Sequence, residues 1–531
     1  MSVVDVRRRA LLGQLGVTAL AGLVPAWPAP AAAAAQATPE SLGVASSAVL
    51  AFIDAAVAHA TELHSLVVAR QGRIAVRGWW APYRAEASHS LYSLSKSFTS
   101  TAVGFAVAEG KLKLSDRVVD FFPGRAPAQI DTRLAALRVE HLLTMSVGQA
   151  NDATRVVSHS QDWVSTFLAL PIVFEPGSVF LYNSAASYML SAIMQTVTGE
   201  KLVDYLRPRF FEPLGMPPMH WAVCPRGINT GGWGLGATTE TLFKFGQFYL
   251  QKGRWGRRQL LPAEWIEQAT TFKIQQPAIE GQTLADLKMT SDWHQGYSYQ
   301  FWRCRHDGFR GDGSFGQFCI VLPQLDAVIA LTARTLDLQG LLNLVWDHLL
   351  PGLAARVPRE DRAMSSRLRE RLAGLMLEPP SGARRSKRYG GRRAYVVAPN
   401  ALGIERLDVA FDDAACRLVF AIGDRMYPVA CGVGSWRDGE TRLAGTPPEF
   451  TELVVADAGP ARPTRIAAAG AWKDEDTFEM QWRYYETPHF DTVTLRFAEG
   501  RVEVSFLNSL TQMAAAVHPE TRPVLSGRAG S

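Results

Sequence analysis

The sequence has few of the residues that cross-link a chain or anchor it in a membrane. Only 5 of its 531 residues are cysteine, and none of them belongs to a C-x-x-C pair, so a disulfide framework is not expected. After residue 36, no apolar run approaches the roughly 18 residues that a membrane-spanning helix needs. The net charge is only +5, from 55 basic and 50 acidic residues, and the scattered arginines argue against nucleic acid as a partner. The composition, with 47% hydrophobic and 10% aromatic residues, predicts a globular protein of several domains.

The N-terminus carries the pattern of an export signal. Three arginines, Arg7 to Arg9, precede a weakly apolar stretch at residues 13–24 and an alanine-rich stretch at residues 31–35. A basic start, a short apolar segment and small residues before a cleavage zone are typical of a signal peptide, and the arginine pattern resembles a twin-arginine signal. We therefore expect residues 1–36 to be a signal peptide of a periplasmic or secreted bacterial protein. The mature chain is expected to have no membrane span.

The remaining sequence divides into two regions of different periodicity. Helical and strand patterns alternate over residues 41–376, including a β-hairpin at Gln71-Gly72 and helices at residues 93–108, 188–196 and 239–250. Residues 377–388 are rich in proline and basic residues and are predicted to be a linker. Apolar residues then recur at every second position, which predicts an all-β domain over residues 389–512. Residues 513–531 are rich in alanine, proline and glycine, and a flexible tail is expected there.

Several common catalytic motifs are missing. The chain contains no H-E-x-x-H, no G-x-S-x-G and no P-loop, and no G-x-G-x-x-G that opens a helix after a strand. Metal-dependent hydrolysis, the α/β-hydrolase nucleophile turn and nucleotide chemistry are therefore disfavoured. We expect no metal and no organic cofactor.

The first candidate for a catalytic element is the S-x-x-K of Ser93 and Lys96, which occurs only once in the chain. A helix is predicted to begin at Ser93, so the serine oxygen would lie beside free backbone N–H groups. Lys96 follows one turn later on the same face, and a buried lysine that is neutral can accept the serine proton. The alternative is an N-cap serine with a surface lysine, which the spacing alone does not exclude.

A second candidate element contains Tyr182 and Ser184, between the Glu175-Pro176-Gly177 turn and a predicted helix. A tyrosine beside a lysine of lowered pKa can act as a phenolate-like proton shuttle. Ser184 is placed to form a hydrogen bond with Lys96 or with substrate. The alternative is a packed aromatic residue followed by an N-cap serine.

A third candidate element, at residues 311–317, leads into a predicted strand at residues 318–322. Its glycines, Gly313 among them, allow a strand edge to approach a ligand closely. One backbone N–H from this edge, at Ser314, together with that of Ser93 would form an oxyanion hole. The alternative is a glycine-rich hairpin with no role in binding.

In this order, the three elements resemble the serine β-lactamase and penicillin-binding-protein superfamily. More specifically, they resemble class C β-lactamase-like esterases and amidases, among them 6-aminohexanoate-dimer hydrolases. This likeness covers roughly residues 41–350, including the strings at residues 109–116, 141–145 and 231–235. The resemblance implies a β-lactamase/transpeptidase-like α/β fold, in which helices flank an antiparallel sheet and an all-helical subdomain completes the site. The C-terminal all-β domain would follow as a separate unit.

The sequence departs from the family pattern at two places. Ser184 stands where the family has the asparagine of Y-x-N, and Gly311 stands where a basic residue usually begins the third motif. In β-lactamases that basic residue binds the substrate carboxylate, and Asp312 would repel an anion. Arg310 is the nearest residue able to restore the cation. A second H-x-G string at His306 lies too far upstream of the predicted strand to be the first choice.

The predicted function is hydrolysis of a small ester or amide through an acyl-enzyme on Ser93, with Lys96 and Tyr182 transferring the proton. Ser184, Gly313, Ser314 and the backbone of Ser93 are expected to bind the substrate and its oxyanion. Two alternatives stay open: a D,D-peptidase or β-lactamase with the same chemistry, and a catalytically silent module that binds cell wall or a protein. The sequence does not specify the oligomeric state.

Overall fold

The computed structural model describes residues 38–354, 361–443 and 463–530. The predicted signal peptide lies outside these residues, so export stays a prediction. Within the described ranges no helix is both long and apolar enough to cross a membrane. All five cysteines are buried and unpaired, in agreement with the expected lack of a disulfide framework.

An antiparallel sheet of six strands forms the centre of the N-terminal region, in the order β2-β1-β11-β10-β9-β8. The strands of this region are β1 (Glu62–Arg70), β2 (Arg73–Trp79), β3 (His89–Ser90), β4 (His220–Trp221), β5 (Leu235–Ala237), β6 (Arg254–Trp255), β7 (Arg258–Gln259), β8 (Trp302–Arg303), β9 (Phe309–Gly313), β10 (Gln317–Leu322) and β11 (Ala327–Arg334). Almost every residue of β1, β10 and β11 is buried, because helices cover both faces of the sheet.

The helices of this region pack on the two faces of the sheet. They are α1 (Ser46–Ala58), α2 (Ser95–Ala108), α3 (Thr132–Ala136), α4 (Val139–Leu143), α5 (Thr154–Ser158), α6 (Trp163–Ala169), α7 (Ser184–Thr198), α8 (Leu202–Leu206), α9 (Thr239–Leu250), α10 (Ala263–Thr270), α11 (Leu284–Thr290), α12 (Leu338–Leu344), α13 (Leu350–Ala354) and α14 (Arg362–Ala373). Helices α2 and α9 share a core with one face and with the helical layer α3 to α8. Helices α1 and α12 to α14 share a second core with the opposite face.

Most local predictions for this region are confirmed. The predicted hairpin is formed by β1 and β2, and its turn consists of Gln71 and Gly72, both of which have positive φ. The helix predicted over residues 239–250 is α9. Residues 188–196 lie inside the longer helix α7. The prediction of one helix over residues 93–108 was wrong at its start, because a short 3₁₀ turn (Tyr92–Leu94) precedes α2.

The C-terminal region is a closed β-barrel. Its elements are β12 (Gly391–Val397), β13 (Arg406–Phe411), β14 (Ala415–Ile422), β15 (Arg425–Val433), β16 (Arg437–Thr441), β17 (Thr464–Trp472), β18 (Thr477–Arg483), β19 (Phe490–Ala498), β20 (Arg501–Asn508), α15 (Ser509–Ala514) and β21 (Leu525–Ala529). Neighbouring strands are antiparallel, and a parallel pairing of β15 with β17 closes the barrel. Alternate side chains point inward and form one apolar core, as the two-residue periodicity predicts.

The structure differs from the sequence prediction at the C-terminus. Residues 513–531 were expected to form a flexible tail, but β21 lies within them and pairs with both β12 and β20. The buried Leu525 and Gly527 alternate with exposed neighbours, so five residues suffice for a strand when two partners already exist. The linker bounds at residues 377–388 and independent folding of the barrel stay predictions.

Candidate active site

Ser93 lies in the 3₁₀ turn that leads into α2, and Lys96 lies in the first turn of α2. The Nζ atom of Lys96 is 2.9 Å from Ser93 Oγ, which is the contact that the i, i+3 spacing predicts. Ser93 is half-buried, whereas Lys96 is only 1% exposed. The surface lysine of the alternative interpretation is therefore ruled out by its burial.

Helix α2 lies between the sheet and the helical layer, and its residues from Ser95 to Ala106 are all buried. Most of its hydroxyl groups bond to neighbouring backbone; Thr99 Oγ1, for example, donates to Gly231 O at 2.7 Å, whereas Ser100 Oγ has no partner within the described part of the chain. Ser95 Oγ accepts a hydrogen bond from the backbone N–H of Leu235 at 3.2 Å. Ser95 is thus occupied in packing, and Ser93 is the serine that faces Lys96.

Three oxygen atoms surround the Lys96 ammonium nitrogen. Besides Ser93 Oγ they are Ser184 Oγ at 2.9 Å and the backbone oxygen of Gly232 at 2.8 Å. Burial lowers the pKa of Lys96 to about 7, although the negative charges of Asp152 and Asp312 act in the opposite direction. A substantial fraction of Lys96 is therefore neutral near pH 7.

The hydrogen-bond inventory shows what a neutral Lys96 does. A neutral amine has two N–H donors and one lone pair, and the carbonyl of Gly232 can only accept. One N–H therefore goes to Gly232 O, and the second suits one of the two hydroxyls. The lone pair then accepts the O–H of the other hydroxyl, and when that hydroxyl is Ser93 the serine becomes an activated nucleophile.

Tyr182 lies beside this pair. Its ring centroid is 4.8 Å from Lys96 Nζ, and it stacks on Trp302. Burial raises the pKa of Tyr182 above its ordinary value, while a hydrogen bond with Ser93 acts in the opposite direction. The raised pKa favours the protonated phenol in the resting site, in which form Tyr182 is suited to donate or relay its proton.

Ser184 contacts Lys96 because it is the first residue of α7. The helix cap is the preceding residue, Asn183, whose side-chain oxygen accepts the backbone N–H of Ala185 at 3.0 Å. Asn183 also bonds to Gln149, at 2.7 Å. Capping by Asn183 leaves the Ser184 hydroxyl available for Lys96, so the N-cap alternative for Ser184 does not apply.

The third element is the end of β9 and the turn that follows it. Gly311 packs against Leu94 and Ser97, and a Cβ atom at Gly313 would collide with the carbonyl oxygen of Leu91. Glycine at both positions lets β9 approach the segment that carries the nucleophile. This approach places Ser314, an exposed residue of the turn, next to the chain that contains Ser93.

Arg310 does not restore the missing cation. Its side chain is fully buried, donates to Asp312 Oδ2 at 2.8 Å and to the backbone of Asp292 at 3.1 Å, and lies over the ring of Trp293. Burial raises the pKa of Asp312, and the charge of Arg310 acts in the opposite direction. The two residues form a buried ion pair in which Asp312 balances the charge of Arg310, and Nη2 of Arg310 is left without a hydrogen-bond partner among the described residues.

The second-choice motif at His306 lies in the turn before β9, where its ring packs 5.2 Å from that of Trp346. Trp346 belongs to the core on the α1 side of the sheet, whereas Lys96 and Tyr182 lie on the α2 side. The first choice, residues 311–314, is the one that approaches the nucleophile.

Sequence reasoning missed two contributors. The first is the backbone oxygen of Gly232, which lies within a glycine-rich string that was noted only as a likeness. The second is Asp152, whose charge acts on both Lys96 and Tyr182. Neither has a distinctive local pattern, since one is a main-chain atom and the other is an exposed aspartate in a loop.

Comparisons with known proteins identify relatives of this chain. The Beta-lactamase family profile matches residues 51–345. A candidate D-alanyl-D-alanine carboxypeptidase of Escherichia coli (strain K12) is 31% identical over 142 residues, which are 24% of this chain and 33% of that protein. The 6-aminohexanoate-dimer hydrolase of Paenarthrobacter ureafaciens is 23% identical over 283 residues, 50% of this chain and 71% of that enzyme.

Among solved structures, a candidate β-lactamase from Bacteroides dorei DSM 17855 superimposes with a TM-score of 0.50. Its sequence is 17% identical, and the match covers 58% of this chain and 99% of that one; this likeness concerns the fold alone. The chain spans only about a third of the length of the carboxypeptidase relative. Because the family profile covers more than half of the sequence and its fold is present, this chain belongs to the Beta-lactamase family of serine hydrolases.

Proposed function

We propose that the protein hydrolyses an ester or amide bond through an acyl-enzyme on Ser93. The observation that carries this proposal is the triad of contacts at Lys96, whose nitrogen lies 2.9 Å from Ser93 Oγ and has a pKa of about 7. A general base is most effective when its pKa lies near the working pH.

The reaction has two steps. Ser93 Oγ attacks the carbonyl carbon as its proton passes to Lys96, and the resulting oxyanion is held by the backbone N–H groups of Ser93 and Ser314. The leaving alcohol or amine then takes a proton from Tyr182, which regains one from Lys96. In the second step water attacks the acyl-enzyme by the same route, and Ser93 recovers its proton.

Small esters and amides suit this site better than β-lactams. A β-lactam carries a carboxylate near its reacting carbonyl, and a charge-assisted hydrogen bond to it contributes about 1.5–3 kcal/mol. Here the matching position is Gly311, and the nearby guanidinium of Arg310 is fully buried against Asp312. We expect kcat/KM for p-nitrophenyl acetate to exceed that for nitrocefin by orders of magnitude, and Gly311→Lys to narrow the gap. A preference of the wild type for nitrocefin would favour the β-lactamase or D,D-peptidase alternative.

The decisive experiment is Ser93→Ala. We expect it to abolish turnover of p-nitrophenyl acetate and covalent labelling by a fluorophosphonate, with little change in melting temperature. Ser95→Ala is the matched control, since Ser95 bonds to the Leu235 backbone and should retain labelling. Labelling that persists in Ser93→Ala would overturn the proposal, and a wild type that neither turns over esters nor reacts with the probe would favour the silent binding module.

A further inference from the structure

A loop of the barrel reaches the segment that carries the nucleophile. The loop joins β18 to β19, and its Glu486 carbonyl accepts the backbone N–H of Ser90 at 2.8 Å. The next carbonyl, that of Thr487, accepts the hydroxyl of Tyr83 at 3.0 Å. The barrel is therefore fastened to the chain immediately upstream of Ser93.

Two residues next to the proposed oxyanion donors have an unusual backbone. Tyr92 precedes Ser93 and has a φ of 48°, and Phe315 follows Ser314 and has a φ of 66°. Non-glycine residues with left-handed φ are uncommon, and such backbone is often strained. Conformations of this kind persist when the surrounding structure holds them in place.

His489, at the end of the barrel loop, contacts both of these residues. The hydroxyl of Tyr92 lies 2.7 Å from His489 Nε2, and the Phe315 ring packs edge-on against His489 with centroids 5.0 Å apart. The rings of Tyr92 and Phe315 also meet, at 5.3 Å. One histidine thus joins the neighbours of the two oxyanion donors.

The protonation states suit a directed hydrogen bond. Burial lowers the pKa of His489 to about 3, and the charge of Arg334 acts in the same direction. Burial raises the pKa of Tyr92. Near neutral pH both groups are uncharged, so the phenol can donate its proton to Nε2 when the imidazole proton is on Nδ1, where Ser509 Oγ lies 3.4 Å away.

The loop itself is rigidly held. Arg483, at its start, forms two hydrogen bonds with Glu62 of β1, at 2.7 and 3.0 Å. At its end Asp491 is fully buried and accepts two bonds from Arg522, at 2.6 and 2.9 Å. His489 therefore sits between two buried ion pairs and is only 2% exposed.

We propose that His489 is a positioning residue of the active site. Through Tyr92 and Phe315 it holds the backbone N–H groups of Ser93 and Ser314 in the geometry of an oxyanion hole, and the barrel is thereby a functional part of the hydrolase. This inference rests on the proposed function. It assigns the barrel a role in the chemical step.

The test compares four variants of the full-length protein: Tyr92→Phe, His489→Leu, His489→Gln and Tyr83→Phe. The first two remove the hydrogen bond, and glutamine keeps an acceptor near the place of Nε2. Tyr83→Phe is the matched control, because it deletes a tyrosine hydroxyl that bonds to the same loop away from Tyr92. The measurements are kcat and KM for p-nitrophenyl acetate, Ki for phenylboronic acid and melting temperature. The boronate forms a tetrahedral adduct with serine and so reports on the oxyanion hole directly.

Removing one oxyanion donor typically lowers kcat by 10²–10³, so moving the donors out of position should lower kcat by about 10- to 100-fold. We expect that loss in Tyr92→Phe and His489→Leu, with KM within about threefold and with Ki for the boronate weakened in parallel. His489→Gln should stay within about threefold of wild type, and Tyr83→Phe should lower the melting temperature without lowering kcat. The double variant Tyr92→Phe/His489→Leu should be no worse than His489→Leu alone, since Tyr92→Phe breaks a hydrogen bond that His489→Leu has already removed.

Wild-type kcat and boronate affinity in Tyr92→Phe would overturn the inference, even if His489→Leu fails to fold. So would equal losses of kcat in Tyr92→Phe and Tyr83→Phe, which would mean that the loop only joins the two regions. Ser93→Ala separates this outcome from failure of the proposed function. If that variant is inactive while Tyr92→Phe is normal, only the role of His489 is wrong.

Discussion

The N-terminal region and the barrel both bury large apolar cores, but they differ in where they bury polar groups. In the N-terminal region, Lys96, Arg310 and Asp312 lie buried near one end of β9 and the start of α2. The barrel core consists of side chains such as Leu418, Phe420 and Trp482. Burying ionisable groups is costly unless they are paired, and clusters of them are found preferentially at functional sites.

The barrel also buries a few titratable side chains, and several of them lie close to the N-terminal region. Among its acidic, basic and histidine side chains, the most deeply buried are Arg483, His489 and Asp491, and all three belong to the segment around the loop that contacts the N-terminal region. Each region thus has a cluster of buried polar groups near the nucleophile segment, although polar side chains are also buried elsewhere, for example Glu40 beside α1 and α14. Changes to these two clusters should alter catalysis, whereas changes to the apolar barrel core should alter stability.

The largest effect is expected for Lys96→Ala. Loss of a general base typically costs 10²–10⁴ in rate, so kcat should fall about a thousandfold with KM nearly unchanged. Lys288→Ala, at an exposed lysine of α11, is the control and should match wild type. Steady-state kinetics with p-nitrophenyl acetate measures this, and an active Lys96→Ala enzyme with only a raised KM would make Lys96 a binding group.

The next largest effect on kcat is expected for a glycine of the N-terminal region, with a glycine of the barrel region as its control. Gly313→Ala forces a Cβ against the Leu91 carbonyl, so β9 must move away from the nucleophile segment. We expect kcat to fall about 100-fold, as for loss of an oxyanion donor. Gly390→Ala is the control: no atom of the described residues lies within 4 Å of the new Cβ, so kcat and boronate affinity should stay at the wild-type values. A Gly313→Ala enzyme with normal kcat and normal boronate affinity would show that the strand end does not form the oxyanion hole.

A smaller effect is the pH dependence set by Lys96. Its pKa is lowered from 10.5 to about 7, and the neutral form is the active one, so kcat/KM should rise with pH and level off above about 7. One unit below that pKa, about a tenth of the wild-type rate should remain. Asp152→Asn removes a charge that raises the pKa, so its profile should shift to lower pH. A profile that is flat from pH 5 to 9 would contradict a neutral Lys96 as the base.

The smallest effect on catalysis is expected in the barrel core. Leu418 is fully buried, and Leu418→Ala should reduce the free energy of unfolding by about 2–5 kcal/mol. Where the protein is folded, kcat should be unchanged. Val396→Ala, at a barrel residue that is 61% exposed, is the control for stability. Denaturant unfolding measures the change in stability, and steady-state kinetics measures kcat. A loss of kcat in folded Leu418→Ala would mean that the functional part of the barrel extends into its core.

Local patterns were sufficient for much of the fold. Helix α9 and strands such as β13, β14 and β20 follow from the spacing of their apolar residues. Strand β17 escaped prediction because its central residues are alanine and glycine, which have no strong strand preference. Strand β12 escaped because arginines occupy its exposed first half. Both strands are hydrogen-bonded to a neighbouring strand on each side, β12 to β13 and β21, and β17 to β16 and β18. This pairing holds them in the sheet despite their weak local preference.

Local spacing is enough to bring Ser93 and Lys96 onto one face of a helical turn, although the burial that makes Lys96 a base comes from its surroundings. The sequence also determined the all-β character of the C-terminal region through its two-residue periodicity. Three contacts depend on tertiary packing instead: Lys96 with Gly232, β15 with β17, and His489 with Tyr92. Those partners are 136, about 37 and 397 residues apart. Contacts over such separations depend on how the completed regions pack, and no local spacing in the chain encodes them.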